Sequence, residues 1–313
     1  MKHYIKIVLR AINNHSLCDI VREKIIHKII KNPSTRNRVL WDARLNDLNK
    51  KYAIKLDGMV NKNRVYTPVK PPNTIWVFWR QGFENAPRMV KACVNSLMKH
   101  LTKFNIVLLT GENLQNYICL PSYIEKKHEQ GIIKEALYSD IVRVSLLAEY
   151  GGIWIDATTL CTDGAFAEKF TEWPLFFYKA IDIDRESEPA ICASNWIISA
   201  WAHHPFIMTL RDFLYEYWKE ETYLIDYYLF HLILHLIKDR YPEEWKSIPA
   251  FSEVNPHILQ FEQLDQYSEE RFREIKRMSD FHKMSWHGEE EIMNDPRFSG
   301  SFYEKIVKKR MEE

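Results

Sequence analysis

The chain has 313 residues, 46% of them hydrophobic and 27% charged, and its formal net charge is +1. These values exclude a disordered or fibrous chain, and the length suits one catalytic domain with an appendage. The five cysteines are scattered, odd in number and never spaced CxxC. That argues against a disulfide framework or a structural zinc and favours a reducing compartment. No apolar run approaches the roughly 18–20 residues of a membrane span. The opening stretch MKHYIKIVLRAINNH is broken by Lys6 and Arg10, which makes a poor signal peptide. A cytoplasmic protein is expected, with no nucleic-acid partner.

The small net charge conceals an asymmetry. Residues 1–64 carry 15 Lys/Arg against 5 Asp/Glu, whereas the rest of the chain carries 28 against 37. The split marks a basic helical N-terminal extension, residues 1–64, ahead of a larger domain over 65–313. Two readings of the extension stand side by side. It contacts an anionic membrane, holding the protein on the inner face, or it packs against its own acidic domain.

Residues 4–31 hold Val21, Ile25 and Ile29 at helical spacing among basic residues, and Asn32-Pro33 ends that helix. A second helix-favouring stretch runs to about Asp57-Gly58, and Pro68, Pro71 and Pro72 mark a linker. Beyond it, Thr74–Trp79 and Phe104–Thr110 read as β-strands flanking a helix over 86–100. A helix over 132–150 follows, then Gly151-Gly152 and the strand IWID. Further strands are predicted at 175–178 and 191–198, and helices at 205–219 and 222–238. The alternation predicts an α/β sandwich with a mostly parallel sheet.

The helix before Gly151 carries an acid in an unexpected place. On a helical wheel Ile133, Ala136, Leu137, Ile141, Val144, Leu147 and Ala148 share one face, and Asp140 lies in the middle of it. Arg143 stands one helical step away. A carboxylate buried there is costly unless it is paired and hydrogen-bonded. An internal Asp140–Arg143 ion pair satisfies that need without any function. Two neighbours argue for a site. Gly151-Gly152 lets the backbone turn back sharply, and the strand after it ends on Asp156, where open α/β sheets place their ligand crevices.

The run SDIVRVSLLAEYGGIWIDATTL resembles the S-D-x-x-R…Y-G-G…D signature of sugar-transferring GT-A enzymes, among them yeast-type mannosyltransferases and glucosylating bacterial toxins. It is most similar to the capsular polysaccharide synthesis proteins, which share the ending G-G-x-W-x-D-A-T. The resemblance extends over about residues 73–290. It implies a GT-A fold, Rossmann-like, with a mostly parallel mixed sheet flanked by helices. It also implies a nucleotide-diphosphate-sugar donor, most simply a UDP-sugar, a glycan acceptor, and a divalent cation, Mn²⁺ or Mg²⁺.

Carried over to this sequence, the resemblance assigns Asp140 and Arg143 to the donor sugar and ribose, and Asp156 to the metal as the first acid of a D-x-D. Thr158 stands where the second acid belongs, so the metal site is weaker in charge than a two-carboxylate one. In TIWVFWRQG, Trp79 is assigned to stacking on the base, with Trp76 as core. Tyr150 joins Trp79 on the donor side. Asn195, in CASNWIISAWAHHP, is assigned to the transferred sugar, and Asp226, in TYLIDYYLFHLIL, to the acceptor. In FHKMSW, His282 completes the metal's coordination, Lys283 neutralises the diphosphate, and Ser285 and Trp286 close over it.

The implied reaction moves a hexose from the nucleotide-sugar to an acceptor hydroxyl with retention. Two rivals are a non-catalytic sugar- or nucleotide-binding module and a HAD-type phosphohydrolase. The second would need a D-x-D-x-[TV] motif, and here that register reads Asp156, Thr158, Leu160.

Overall fold

The computed structural model describes residues 17–179 and 191–311. The expected start of the first helix, and the stretch read as a poor signal peptide, lie outside the described residues. The chain begins with α1 (Leu17–Ile29) and α2 (Pro33–Asn63). Asn32 caps α2 by accepting from the Thr35 amide at 2.8 Å, with Pro33 in the first turn, where its missing N–H costs nothing.

The expected stop at Asp57-Gly58 does not occur. Leu56 and Val60 on either side are buried in the main core, and that packing outweighs the roughly 1 kcal/mol a helical glycine costs. Trp41, Leu48 and Tyr52 belong to the same core, so α2 is part of the main body. Its basic residues meet the acidic domain directly. Lys51 pairs with Glu221, Lys55 with Glu216 and Glu220, and Lys62 with Asp212. For α2, the self-packing reading of the charge asymmetry describes what is observed.

The central sheet comprises β1 (Thr74–Phe78), β2 (Asn105–Leu109), β3 (Gly152–Ile155), β5 (Leu175–Phe177) and β6 (Ile197–Ala200), in the order β2-β1-β3-β6-β5. β1 pairs parallel with β2 and β3, while β6 runs antiparallel to both β3 and β5. The sheet is thus mixed and mostly parallel in direction, as expected. β1 is buried along its whole length because both faces are covered. Trp76, Phe78 and Trp154 face a core completed by α5 (Glu135–Tyr150), α7 (Pro205–Glu220) and α8 (Leu229–Lys238). Ile75, Val77, Ile153 and Ile155 alternate to the other face, against α3 (Arg88–His100).

Gly151 and Gly152 join α5 to β3 at φ +65° and +97°. A Cβ on Gly151 would lie 2.5 Å from the Ala202 nitrogen, and one on Gly152 2.7 Å from the Thr74 carbonyl oxygen. Only glycine fits both the torsion and the space. This turn sets α5 back against the sheet, so that Asp140 and Asp156 share one end of it.

The chain continues through α4 (Ser122–Glu129), which precedes α5, and α6 (Ala167–Phe170), which precedes β5. A two-stranded antiparallel ladder joins β4 (Thr159–Cys161) to β7 (Phe281–Lys283), pairing Thr159 with Lys283 and Leu160 with His282. α10 (Val254–Glu262), α11 (Glu269–Met278) and α13 (Phe302–Met311) surround it, and α9 (Pro242–Ser247) and α12 (Glu289–Asn294) complete the chain.

Two expected elements are shorter than the sequence suggests. Residues 191–196 do not pair as strand, and Ile191, Ser194, Asn195 and Trp196 line a cleft instead. Residues 222–228 are not helical. Tyr217 holds that loop by donating to the Tyr223 carbonyl and accepting from the Ile225 amide, while Asp226 accepts from the Tyr228 amide. Side chains there satisfy backbone groups that a helix would otherwise pair.

Candidate active site

A cleft of about 960 Å³ opens over the carboxyl ends of β1 and β3. β1 is followed on one side by β2 and on the other by β3, so the cleft sits where the strand order reverses, the usual crevice of an open α/β sheet. Helix α5 supplies Asp140 and Arg143 to it. The end of β3 supplies Asp156, the segment before β6 supplies Asn195, and β7 supplies Lys283.

These side chains form one charged cluster. Nη1 of Arg143 lies 2.8 Å from Oδ1 of Asp140, and its Nη2 donates to Oδ1 of Asp156 at 3.0 Å. The guanidinium lies over the rings of Trp154 and Phe230, with centroids at 5.0 and 5.8 Å. Asn195 donates to Oδ1 of Asp140 at 2.9 Å. Trp154 Nε1 donates to Oδ1 of Asp156 at 2.9 Å, and Lys283 Nζ donates to its Oδ2 at 2.6 Å and to Thr158 Oγ1 at 2.9 Å.

The two carboxylates answer differently to burial. For Asp140 burial dominates, and with the Asp156 charge it pushes the carboxyl up to about 6 against the pull of Arg143 and Asn195. Burial also acts on Asp156, but Lys283 and Arg143 together outweigh it and hold that carboxyl below its usual range.

At the cleft's rim Trp79 meets Trp286 edge to face, with centroids 5.8 Å apart, and Ser285 lies beside them. Trp79 is half-buried and lines the cleft. Trp76 is buried, and its Nε1 donates to the Gly151 carbonyl at 2.8 Å, which makes it a core residue as expected.

Three expected site residues are not brought to the cleft. His282 is fully buried on the face of β7 opposite Lys283, because side chains alternate along a strand. Its Nε2 meets Thr162 Oγ1 at 3.1 Å and burial pushes the imidazole down to about 4, and the side chain does not line the cleft. Asp226 is paired with Arg44 of α2 and caps its own loop, and it does not line the cleft. Tyr150 sits at the far end of α5, about 15 Å along the axis from Asp140. There its hydroxyl donates to the Tyr117 carbonyl at 2.7 Å.

The cleft also gathers residues that sequence reading missed: Arg80, Tyr228, Glu253, His257 and Gln260. Glu253 accepts from the hydroxyl of Ser194, the neighbour of Asn195. Arg80 and Tyr228 lie within runs the sequence reading quoted but did not assign, while Glu253, His257 and Gln260 come from a later segment that carried no motif. Tyr227 adjoins Asp226, which the sequence did single out, and it is Tyr227 that faces the cleft. His231, buried beside Arg143, is pushed down to about 4 by burial and then by that charge.

The donor set does not fit the divalent cation that the resemblance implied. Both oxygens of Asp156 are engaged by N–H donors, and Lys283 already bridges Asp156 and Thr158. Among the described residues no cluster of three His, Cys, Asp or Glu is arranged to hold a metal ion.

A mixed α/β sandwich with a charged ligand cleft at its strand switch is the class this architecture defines. Residues 11–306 match the family model described as capsular polysaccharide synthesis protein, and the chain belongs to that family. It is 25% identical over 224 residues to an O-glycosyltransferase, braB, of Annulohypoxylon truncatum, across 63% of this chain and 52% of that protein. The chain spans about half the length of that relative. A solved glycosyltransferase structure, PaToxG, aligns over 78% of this chain and 95% of its own at 14% identity, with a TM-score of 0.36.

Proposed function

We propose that the chain is a glycosyltransferase that moves a hexose from a nucleotide-diphosphate-sugar, with UDP-sugars the first choice, to a hydroxyl of a glycan or polysaccharide-precursor acceptor. The observation that carries this reading is the Asp140–Arg143–Asp156–Lys283 cluster, seated in a cleft large enough for such a donor. Asp140 and Asn195 form a hydrogen-bonding pair suited to sugar hydroxyls. Nε of Arg143 is buried with no hydrogen-bond acceptor among the described residues, so a ligand oxygen would satisfy it. Trp79 offers a flat face to the base.

In the step proposed, the C1–O bond to the diphosphate breaks and its electron pair stays on the phosphate oxygen. The acceptor oxygen bonds C1 and loses its proton to that phosphate oxygen on the same face, which gives retention. Cations in the cleft stabilise the charge that develops. Incubation with a panel of UDP- and GDP-sugars should give slow donor hydrolysis, with the released sugar's anomer read by NMR. Binding of nucleotide without turnover of any donor would favour the non-catalytic module. A phosphohydrolase reading fares worse, since Asp156 is enclosed by Arg143, Trp154 and Lys283 and is no free nucleophile.

The N-terminal helix supports peripheral contact with an anionic membrane. α1 exposes Val21, Ile25 and Ile29 in one stripe, with exposed Lys24 and Lys28 beside it. No helix among the described residues is long and apolar enough to cross a membrane. Deleting the whole extension would strip α2 from the core, so the informative variant is Ile25→Asp with Ile29→Asp. Its binding to phosphatidylserine vesicles should fall, and unchanged binding would remove the membrane reading.

A further inference from the structure

We infer that the ammonium of Lys283 occupies the place of the divalent cation, so that this protein holds its donor's diphosphate without a metal. The inference rests on the glycosyltransferase reading above and deepens it at the same site. Lys283 Nζ stands 2.6 Å from Asp156 Oδ2 and 2.9 Å from Thr158 Oγ1. Those are the two oxygens a metal would take from the Asp-x-Thr segment. A Mg²⁺ bound at roughly 2.1 Å would need the same two oxygens that the lysine nitrogen already holds. The two cations therefore exclude each other.

The backbone fixes this arrangement. Lys283 pairs with Thr159 across the β4–β7 ladder, and the next residue, Met284, donates its amide to the Thr158 carbonyl at 2.9 Å. The lysine is thus tied to the segment it replaces the metal on. An ammonium has three N–H donors. Asp156 and Thr158 take two, and the third is left for a phosphate oxygen, since Lys283 lines the cleft with 19% of its side chain exposed. Asp156 is then a positioning residue. It holds Lys283 through one oxygen and Arg143 through the other, and its charge keeps the two cations together. On the donor's cleavage, the electron pair left on the phosphate oxygen meets Lys283.

Binding of UDP to the full chain, with GDP as the second probe, tests this through thermal shift and titration calorimetry. The expected result is equal UDP affinity in EDTA and in Mn²⁺. Electron paramagnetic resonance should detect no Mn²⁺ bound beyond what UDP alone binds. Lys283→Ala in EDTA should bind UDP about 10- to 100-fold more weakly, with Lys283→Arg recovering part of the loss and Mn²⁺ restoring affinity to the alanine variant. UDP binding by wild type in Mn²⁺ but not in EDTA overturns the inference and leaves the glycosyltransferase reading standing. Neither nucleotide binding under either condition overturns both. The wild-type comparison needs no variant, so it decides even if Lys283→Ala does not fold.

Discussion

The two walls of the cleft hold the same kind of side chain in opposite electrostatic states. On the helical wall Asp140 is raised to about 6, because burial outweighs its partner Arg143. On the strand wall Asp156 is lowered, because Lys283 and Arg143 together outweigh burial. One carboxylate is held ionised at neutral pH at the expense of the fold. The other is a part of what holds the fold together there. Placement in a motif does not reveal this difference; the number of cations around each group does.

The largest effect is expected for Asp156→Asn. It removes the charge that Arg143 and Lys283 share and should destabilise the fold by about 3–5 kcal/mol in chemical denaturation, with donor turnover lost. A stable, folded Asp156→Asn protein would erase the contrast between the walls.

Asp140→Asn should lower donor hydrolysis by about 100-fold or more while leaving thermal stability at pH 7 unchanged or improved. The sign follows from linkage. A carboxyl whose folded pKa lies above its unfolded value of 3.8 binds its proton more tightly in the native state. Stability from this group therefore falls as pH rises from 3.8 towards about 6, and that slope should vanish in the variant. Asp156, with its folded pKa lowered, contributes stability above 3.8 that is lost as pH falls through the lower folded value. Turnover by the wild type should drop as pH falls through about 6, where Asp140 takes up its proton. A drop in thermal stability for Asp140→Asn equal to that of Asp156→Asn would show that the two walls are alike.

Trp79→Ala should weaken UDP binding by about 1–3 kcal/mol in calorimetry, with little change in the turnover of bound donor. The smallest effect is expected for Tyr150→Phe, which removes one exposed hydrogen bond at the far end of α5. Stability should move within about 0.5 kcal/mol, and donor turnover should stay at the wild-type level. A large loss of turnover would return Tyr150 to the site.

Much of this architecture is legible in the chain because it is local. Gly151-Gly152 marks a turn that no other residue pair could make, and IWID marks the strand that ends at the cleft. Asp140 interrupts an apolar helical face, so its need for partners is visible without coordinates. The family resemblance added Lys283, Ser285 and Trp286 to that unit, and the cleft contains all three.

Other placements depended on long-range packing. Helix α2 runs past Gly58 because Leu56 and Val60 find a core more than a hundred residues downstream. Tyr227 rather than Asp226 faces the cleft because Arg44, far away in sequence, takes the aspartate.

By itself the sequence determined the helix–turn–strand unit and the acids within it, since torsion, periodicity and spacing act between near neighbours. Only the tertiary structure decided which cation reaches Asp156. His282 and Lys283 are adjacent, and either is a chemically sensible partner. The register of β7 on β4 sends one into the core and the other to the carboxylate, and register is settled by pairing between segments about 120 residues apart.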